Sequence, residues 1–179
     1  MFEIERKFRL RPREYEHLVA ELTEQFGAPN EHRQTDKLFL KDNGFDTHVT
    51  GQPILRLRDQ DGKHIFTYKR TVPSTGNRVE HETSIDDPET IRAIIAELGW
   101  QEAVAVNKQR LEFRSDTFTY ALDNVDTIGT FIEIEYVQLA DDPDAETKLF
   151  AEARRLGLNP AVQCEPKNYG VLVWEESRV

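Results

Sequence analysis

The feature that most constrains this chain is an alternation of charged and apolar residues that recurs from one extended segment to the next. It begins near the N-terminus, in Glu3-Ile4-Glu5-Arg6-Lys7. Successive side chains of a strand point to opposite faces, so Glu3, Glu5, Lys7 and Arg9 share one side. Phe2, Ile4, Phe8 and Leu10 share the other, interrupted by Arg6. Carboxylates two residues apart lie roughly 7 Å from each other. At an effective dielectric of about 20 they repel by about 2 kcal/mol. On a solvated face that repulsion is harmless. On an enclosed face it needs compensation, which a divalent cation would supply.

The pattern then repeats. Ile54 to Asp59 sets Arg56 and Arg58 against Leu55 and Leu57, and Asp61-Gly62 is a tight-turn signal leading into Ile65 to Thr71, with Lys69 beside Thr67. Arg78, Glu80 and Glu82 stand opposite Val79 and Ile85. A strand from about Ala105 to Arg114 sets Lys108, Arg110, Glu112 and Arg114 against Leu111 and Phe113. Phe118 to Val125 carries Asp123, and Phe131 to Leu139 carries Glu133 and Glu135 against Ile132, Ile134 and Tyr136. One more strand is expected from His32 to Lys41.

Three helices are predicted between them. Pro12 opens one that runs to Phe26, with Tyr15, Leu18, Val19, Leu22 and Phe26 as its apolar stripe and Gly27 and Pro29 after it. Asp87-Pro88 caps a second, closed by Gly99, and Asp142-Pro143 caps a third that ends at Gly157. A C-terminal segment lies around Tyr169 to Trp174. Eight strands with antiparallel neighbours and three helices make an α+β fold, read as a single domain over residues 1–179.

Alternation decides which residues share a face, not which face is inside. The apolar faces could meet in a sandwich and leave the charges to water. Alternatively, the helices could cover the apolar face of a closed barrel and leave the charges lining its interior. Buried ions each lose several kcal/mol of solvation, so a charged interior calls for a ligand of many charges. Arg56, Arg58, Lys69, Arg78, Lys108 and Arg110 suit a polyanion, because guanidinium forks grip phosphate oxygens in pairs. Glu3, Glu5, Glu80, Glu82, Asp123, Glu133 and Glu135 suit a hard divalent cation such as magnesium or manganese. Both sets together read as a metal-bound triphosphate site.

Composition narrows the partners. A net charge of -10 disfavours nucleic acid or an anionic membrane as the main partner. The single cysteine, Cys164, excludes an internal disulfide and fits the cytoplasm. No apolar stretch approaches the ~20 residues of a membrane span. The chain has no Walker-type loop and no G-x-G-x-x-G, its five histidines lack zinc-ligand spacing, and no Ser-His or Cys-His pair stands out. His81 reads as a packed or rim histidine, and Trp100 and Trp174 as core or interface aromatics.

Glu3-x-Glu5-x-Lys7 resembles the signature of the CYTH, or triphosphate tunnel metalloenzyme, superfamily. The likeness continues through Leu55-Arg56-Leu57-Arg58, Thr67-Tyr68-Lys69, Arg78-x-Glu80-x-Glu82, Lys108-Gln109-Arg110 and Gly129-Thr130-Phe131-Ile132-Glu133-Ile134-Glu135, in order along the chain. It implies an eight-stranded antiparallel β-barrel, the triphosphate tunnel, with helices packed outside. It also implies Mg2+ or Mn2+ held by Glu3, Glu5, Glu133, Glu135 and Asp123, with Glu80 and Glu82 as additional acidic residues. Lys7, Arg56, Arg58, Lys69, Arg78, Lys108 and Arg110 would bind a nucleoside or organic triphosphate, and Lys7, Asp123 and Arg110 would serve catalysis.

Within the superfamily the chain is most similar to class IV adenylate cyclases, through Gln34-Thr35-Asp36, Asn107-Lys108-Gln109-Arg110 and Leu122-Asp123-Asn124-Val125. That branch implies conversion of ATP to cyclic AMP and pyrophosphate, and a homodimer. Two other readings stay open: a triphosphatase acting on tripolyphosphate, thiamine triphosphate or a nucleoside triphosphate, and a non-catalytic sensor of such ligands. Lys167-Asn168-Tyr169 departs from the Ser-Tyr of many relatives, and no role is carried over to it.

Overall fold

The structure, a computed structural model, describes residues 2–41, 44–49, 51–71, 78–138 and 143–178, without the side chains of Phe2, Glu3, Arg78 and Gln138. Eight strands form one sheet: β1 (Phe2–Leu10), β2 (Asn30–Leu40), β3 (Ile54–Gln60), β4 (Lys63–Thr71), β5 (Arg78–Ile85), β6 (Gln101–Arg114), β7 (Phe118–Val125) and β8 (Gly129–Gln138). The helices are α1 (Pro12–Phe26), α2 (Pro88–Glu97), α3 (Ala145–Arg155), α4 (Pro160–Gln163) and α5 (Tyr169–Glu176), with a 3-10 turn at Gly44–Asp46. The strands run in the hydrogen-bonded order β1-β8-β7-β6-β2-β3-β4-β5. The expected eight antiparallel strands are present. The expected closure is not: the order is linear, and among the described residues no ladder joins β5 to β1.

Contacts along the chain gather into two compact units, Met1–His32 with Gln109–Asn168, and Arg33–Lys108 with Tyr169–Val179. Each has its own apolar core. In the first, Leu18 and Leu22 of α1 and Leu149 and Ala153 of α3 pack with Phe8, Phe113, Tyr120, Leu122, Ile132 and Ile134 from the apolar strand faces. In the second, Ile95 and Ile91 of α2 pack with Phe39, Leu55, Leu57, Phe66, Tyr68, Ile85 and Trp100. Helices therefore cover the apolar side in both units, and the alternating charges are turned the other way. That settles the sandwich alternative against itself within each unit, because the apolar faces meet helices.

Local chemistry accounts for the boundaries. At Asp61-Gly62 both residues take positive φ, 53° and 79°, the conformation a two-residue hairpin demands. Asp87 caps α2 through Thr90, whose backbone N–H and hydroxyl both donate to its carboxylate. The third helix begins later than expected, at Ala145 after Asp144, and the Asp142 of the expected cap lies outside the described residues. Helix α4 was not anticipated. It is one turn long, opened by the Asn159 side chain accepting from the Ala161 N–H and by Pro160, and so short a turn has no apolar period to reveal it.

A polar pair is buried on the helix side. The Tyr120 hydroxyl donates to Glu152 at 2.6 Å, and Arg155 holds the same carboxylate. Burial, then the Glu152 carboxylate, pushes the Tyr120 phenol up to about 12.

Leu122 is fully buried between α1, α3 and the sheet, whereas Val162 is 77% exposed. Leu122→Ala is expected to destabilise by about 2–5 kcal/mol, and Val162→Ala by less than about 0.5 kcal/mol, in urea denaturation. A Leu122→Ala cost as small as that of Val162→Ala would contradict the core assignment.

Candidate phosphate and metal site

In the first unit the β1–β8 register sets Glu5 opposite Glu135, Lys7 opposite Glu133 and Arg9 opposite Phe131. All six lie on the charged face. Directly opposed side chains approach to about 4.5–5.5 Å between Cβ atoms, where like charges destabilise the ladder. Glu5 and Glu135 are both partly buried. The Lys7 ammonium donates to the Lys167 carbonyl at 2.5 Å, and Arg9 lies 4.7 Å from the Phe131 ring centroid.

Arg110 is bound more tightly. Its Nε and Nη2 donate to the two oxygens of Asp123 at 2.7 and 2.6 Å, and Nη2 also donates to Glu133 at 2.5 Å. Asp123 is fully buried. The Arg110 guanidinium is thus held in a fork by Asp123.

The second unit repeats the device. Asp36 faces Arg58 across the β2–β3 ladder and accepts from its Nε and Nη2 at 2.6 and 2.7 Å. Burial alone would raise the Asp36 carboxyl, but hydrogen bonds and charge from Arg58, joined by Arg56 and Lys108, outweigh it and hold the carboxyl below its ordinary value. Arg56 is buried beside Thr67, at 3.0 Å, and Glu82, at 3.1 Å, with Glu80 farther off at 3.5 Å. Its guanidinium is lowered by burial and then by the charge of Arg58, against the pull of Asp36, Glu80 and Glu82. Lys69 pairs with Glu80 at 2.9 Å. Lys108 is buried, with its ammonium 4.9 Å from the Tyr169 ring centroid.

Among the described residues, two polar side-chain atoms are buried without a hydrogen-bond partner: Arg56 Nε and Gln34 Oε1. Gln34 otherwise donates to Gln60 at 2.6 Å. A buried guanidinium N–H with no acceptor is costly, and a phosphate oxygen is the acceptor this chemistry matches best.

The expected residues thus fall into two groups. Glu5, Lys7, Arg110, Asp123, Glu133 and Glu135 share one face of the first unit, and Arg56, Arg58, Lys69, Lys108, Glu80 and Glu82 belong to one face of the second. The side chains of Glu3 and Arg78 lie outside the described residues. Sequence reasoning missed Asp36, Gln34 and Tyr169. Alternation marks Gln34 and Asp36 as sharing a face; only the register identifies Arg58 as their neighbour.

Among the described residues no group of three or more His, Cys, Asp or Glu side chains is gathered as a metal cage. The donor set of the Glu5–Glu135 pair nevertheless fits a hard cation of the magnesium type, which takes one or two carboxylates and completes its shell with water and phosphate oxygens. Asp123 accepts both prongs of the Arg110 fork.

A family model for the CYTH domain matches residues 1–163, and the chain belongs to that family. It is 34% identical over 83 residues to a Methanocaldococcus jannaschii protein named "putative adenylate cyclase", a match that covers 45% of this chain and 47% of that relative, so the chain spans about half the length of the curated relative it matches. A solved protein of Pyrococcus horikoshii superposes with a TM-score of 0.77 at 27% identity, over 95% of this chain and 98% of that one. A Hippeastrum protein, described as a "putative adenylyl cyclase" with a dominant triphosphatase activity, shares the fold at TM-score 0.66 and 18% identity, over 99% and 96% of the two chains. No helix among the described residues is long and apolar enough to cross a membrane.

The Asp36 carboxyl, depressed in the folded state, adds stability that is present above the unfolded value near about 4 and is lost as pH falls through the lower folded value. Asp36→Asn leaves Arg58 without its counter-charge, at an expected cost of about 3–5 kcal/mol near neutral pH. In denaturation series the gap to wild type should narrow as pH falls below about 4. A gap independent of pH would show that the carboxylate charge is not what Arg58 requires.

Proposed function

We propose that this chain is a metal-dependent enzyme acting on a triphosphate, and that its reaction is cyclisation of ATP to cyclic AMP with release of pyrophosphate. The observation that carries the reading is the carboxylate pair Glu5–Glu135, opposed across β1 and β8 and flanked by Lys7 opposite Glu133. Membership of the CYTH family and the likeness to the Methanocaldococcus jannaschii protein support it.

In the proposed reaction the ribose 3′-oxygen forms a bond to the α-phosphorus. The bond from that phosphorus to the bridging oxygen breaks, pyrophosphate leaves, and the hydroxyl proton passes to solvent. Glu5 and Glu135, with Glu3 and Glu133, would hold magnesium or manganese. When bound, such an ion supplies Lewis-acid polarisation of phosphate oxygens and favours ionisation of the attacking hydroxyl. Arg56, Arg58, Lys69 and Lys108, with Arg78, grip the phosphates and neutralise charge that grows on the leaving group. Lys7 contacts phosphate with an ammonium held by a neutral carbonyl. Asp123 keeps the Arg110 guanidinium in one orientation, which spares the ordering cost at the moment of reaction. Glu80 and Glu82 act as counter-ions that balance Arg56 and Lys69 until phosphate arrives.

A second reading, a triphosphatase, is favoured by one observation. Arg56, Arg58, Lys69 and Lys108 match the phosphate chain alone and serve it whatever it is attached to.

Purified protein with manganese or magnesium, offered ATP and inorganic tripolyphosphate separately, should yield cyclic AMP and pyrophosphate from ATP, read by phosphorus NMR. Orthophosphate from tripolyphosphate without a cyclic product would replace the first reading with the second. Binding without turnover of either would overturn both in favour of a sensor. Glu135→Ala is expected to lower turnover on the order of 100-fold or more with an unchanged melting temperature. Retained turnover in that variant would contradict the metal assignment.

A further inference from the structure

Arg9 shares the charged face of β1 with Glu5 and Lys7, yet the proposed reaction gives it no part. The ladder register shows what surrounds it. Arg9 stands opposite Phe131, and Phe131 opposite Asp123, one rung beyond Lys7, Glu133 and Ala121. Alternation therefore puts a phenyl ring on the face of β8 that carries Glu133 and Glu135. Phe131 is fully buried. The Arg9 guanidinium lies over its ring, with the central carbon 4.7 Å from the centroid.

Two further contacts hold the edge of the same group. Nη1 donates to the Ile128 carbonyl at 3.0 Å, and Nη2 to Glu165 at 3.4 Å. Glu165 is itself fastened to β1: its backbone N–H donates to the Lys7 carbonyl at 2.8 Å, and Cys164 before it bridges to Phe8. All of these residues belong to the first unit. Despite these holds the Arg9 side chain stays 47% exposed. The ring covers one side of the guanidinium, so the exposure falls on the opposite side.

These contacts add little stability, since an ion pair on a half-exposed arginine is screened by solvent. What they produce is a planar cation in a fixed orientation. Guanidinium planes stack on nucleobases as aromatic side chains do. A phosphate would approach the N–H edge instead, where the Ile128 carbonyl and Glu165 already sit. Lys7, the proposed phosphate contact, lies two residues along the same face, roughly 7 Å away. That spacing leaves room for a sugar between phosphate and base.

We propose that Arg9 is a specificity-determining residue: the outer side of its guanidinium stacks on the base of a nucleoside triphosphate whose phosphates lie toward Lys7. The proposal rests on the reading of this face as a triphosphate site, and it selects a nucleotide over inorganic tripolyphosphate as the ligand. The test separates the two. Dissociation constants are measured by calorimetry in magnesium for the bis-methylene analogues of ATP and of tripolyphosphate, whose P–C–P bridges neither cyclise nor hydrolyse. The proteins are wild type, Arg9→Lys, Arg9→Ala and Arg9→Tyr. Arg9 is exposed and outside the apolar core, so all three variants are expected to fold.

Arg9→Lys keeps the charge and loses the plane. It should weaken binding of the ATP analogue about five- to twentyfold and change that of the tripolyphosphate analogue less than about twofold. Arg9→Ala should weaken the ATP analogue at least as much. Arg9→Tyr restores a plane without the charge, and should bring the ATP analogue to within about threefold of wild type. Failure of the wild-type protein to bind either analogue would overturn the triphosphate reading and the proposal with it. With the tripolyphosphate analogue bound, full affinity for the ATP analogue in Arg9→Lys and Arg9→Ala would overturn the stacking role alone. Equal losses of both analogues in Arg9→Lys would do the same, by making Arg9 a phosphate contact. Binding of the ATP analogue by Arg9→Tyr no better than by Arg9→Ala would also contradict it.

Discussion

Burying a guanidinium obliges a fold to provide a counter-charge, and the charged faces of this sheet are organised around that obligation. Arg58 is met by Asp36 and Arg110 by Asp123, each through a two-pronged fork with distances of 2.6–2.7 Å. Forks of this kind fix a planar group in direction as well as place. The pairs need not add net stability, since a buried ion pair roughly returns what desolvation removes. What they secure is orientation, which is the property a phosphate-binding surface needs before its ligand arrives.

The hydrogen bonding of Arg56 is incomplete. Arg56 keeps one N–H buried without an acceptor, and its guanidinium is lowered first by burial and then by the neighbouring charge of Arg58. Glu5 meets Glu135, carboxylate against carboxylate. The second unit thus holds an unspent donor among cations, and the first sets two acidic residues opposite each other in the ladder. On the proposed reading a triphosphate oxygen would accept from the Arg56 N–H.

Much of this was legible in the sequence because it is local. Alternation assigns faces from nearest neighbours, and α1, β5 and β7 take their expected bounds because Pro12, Asp86-Asp87-Pro88 and the turn at Ser115-Asp116 mark them. The expected charged residues share faces for the same reason. What sequence reasoning missed is non-local. Asp36 becomes the partner of Arg58 only through the β2–β3 register. Tyr169 reaches Lys108 through a helix at the far end of the chain, and the latch that places it, Trp174 on Asp46, joins residues with no periodic relation. The single-turn helix α4 leaves no pattern at all. The closure of the sheet was expected from kinship, and the hydrogen-bonded order is linear instead.

The most direct test of the central claim reads the buried cations themselves. Arginine Nε–Hε resonances are recorded by nitrogen–proton correlation NMR while inorganic tripolyphosphate is added. If the charged face is a phosphate site, the Arg56 resonance should shift and gain protection from exchange at low ligand concentration, with Arg58 following. Exposed arginines such as Arg13 and Arg92 should respond only to bulk ionic strength. Shifts confined to those exposed residues, with Arg56 unmoved, would contradict the account.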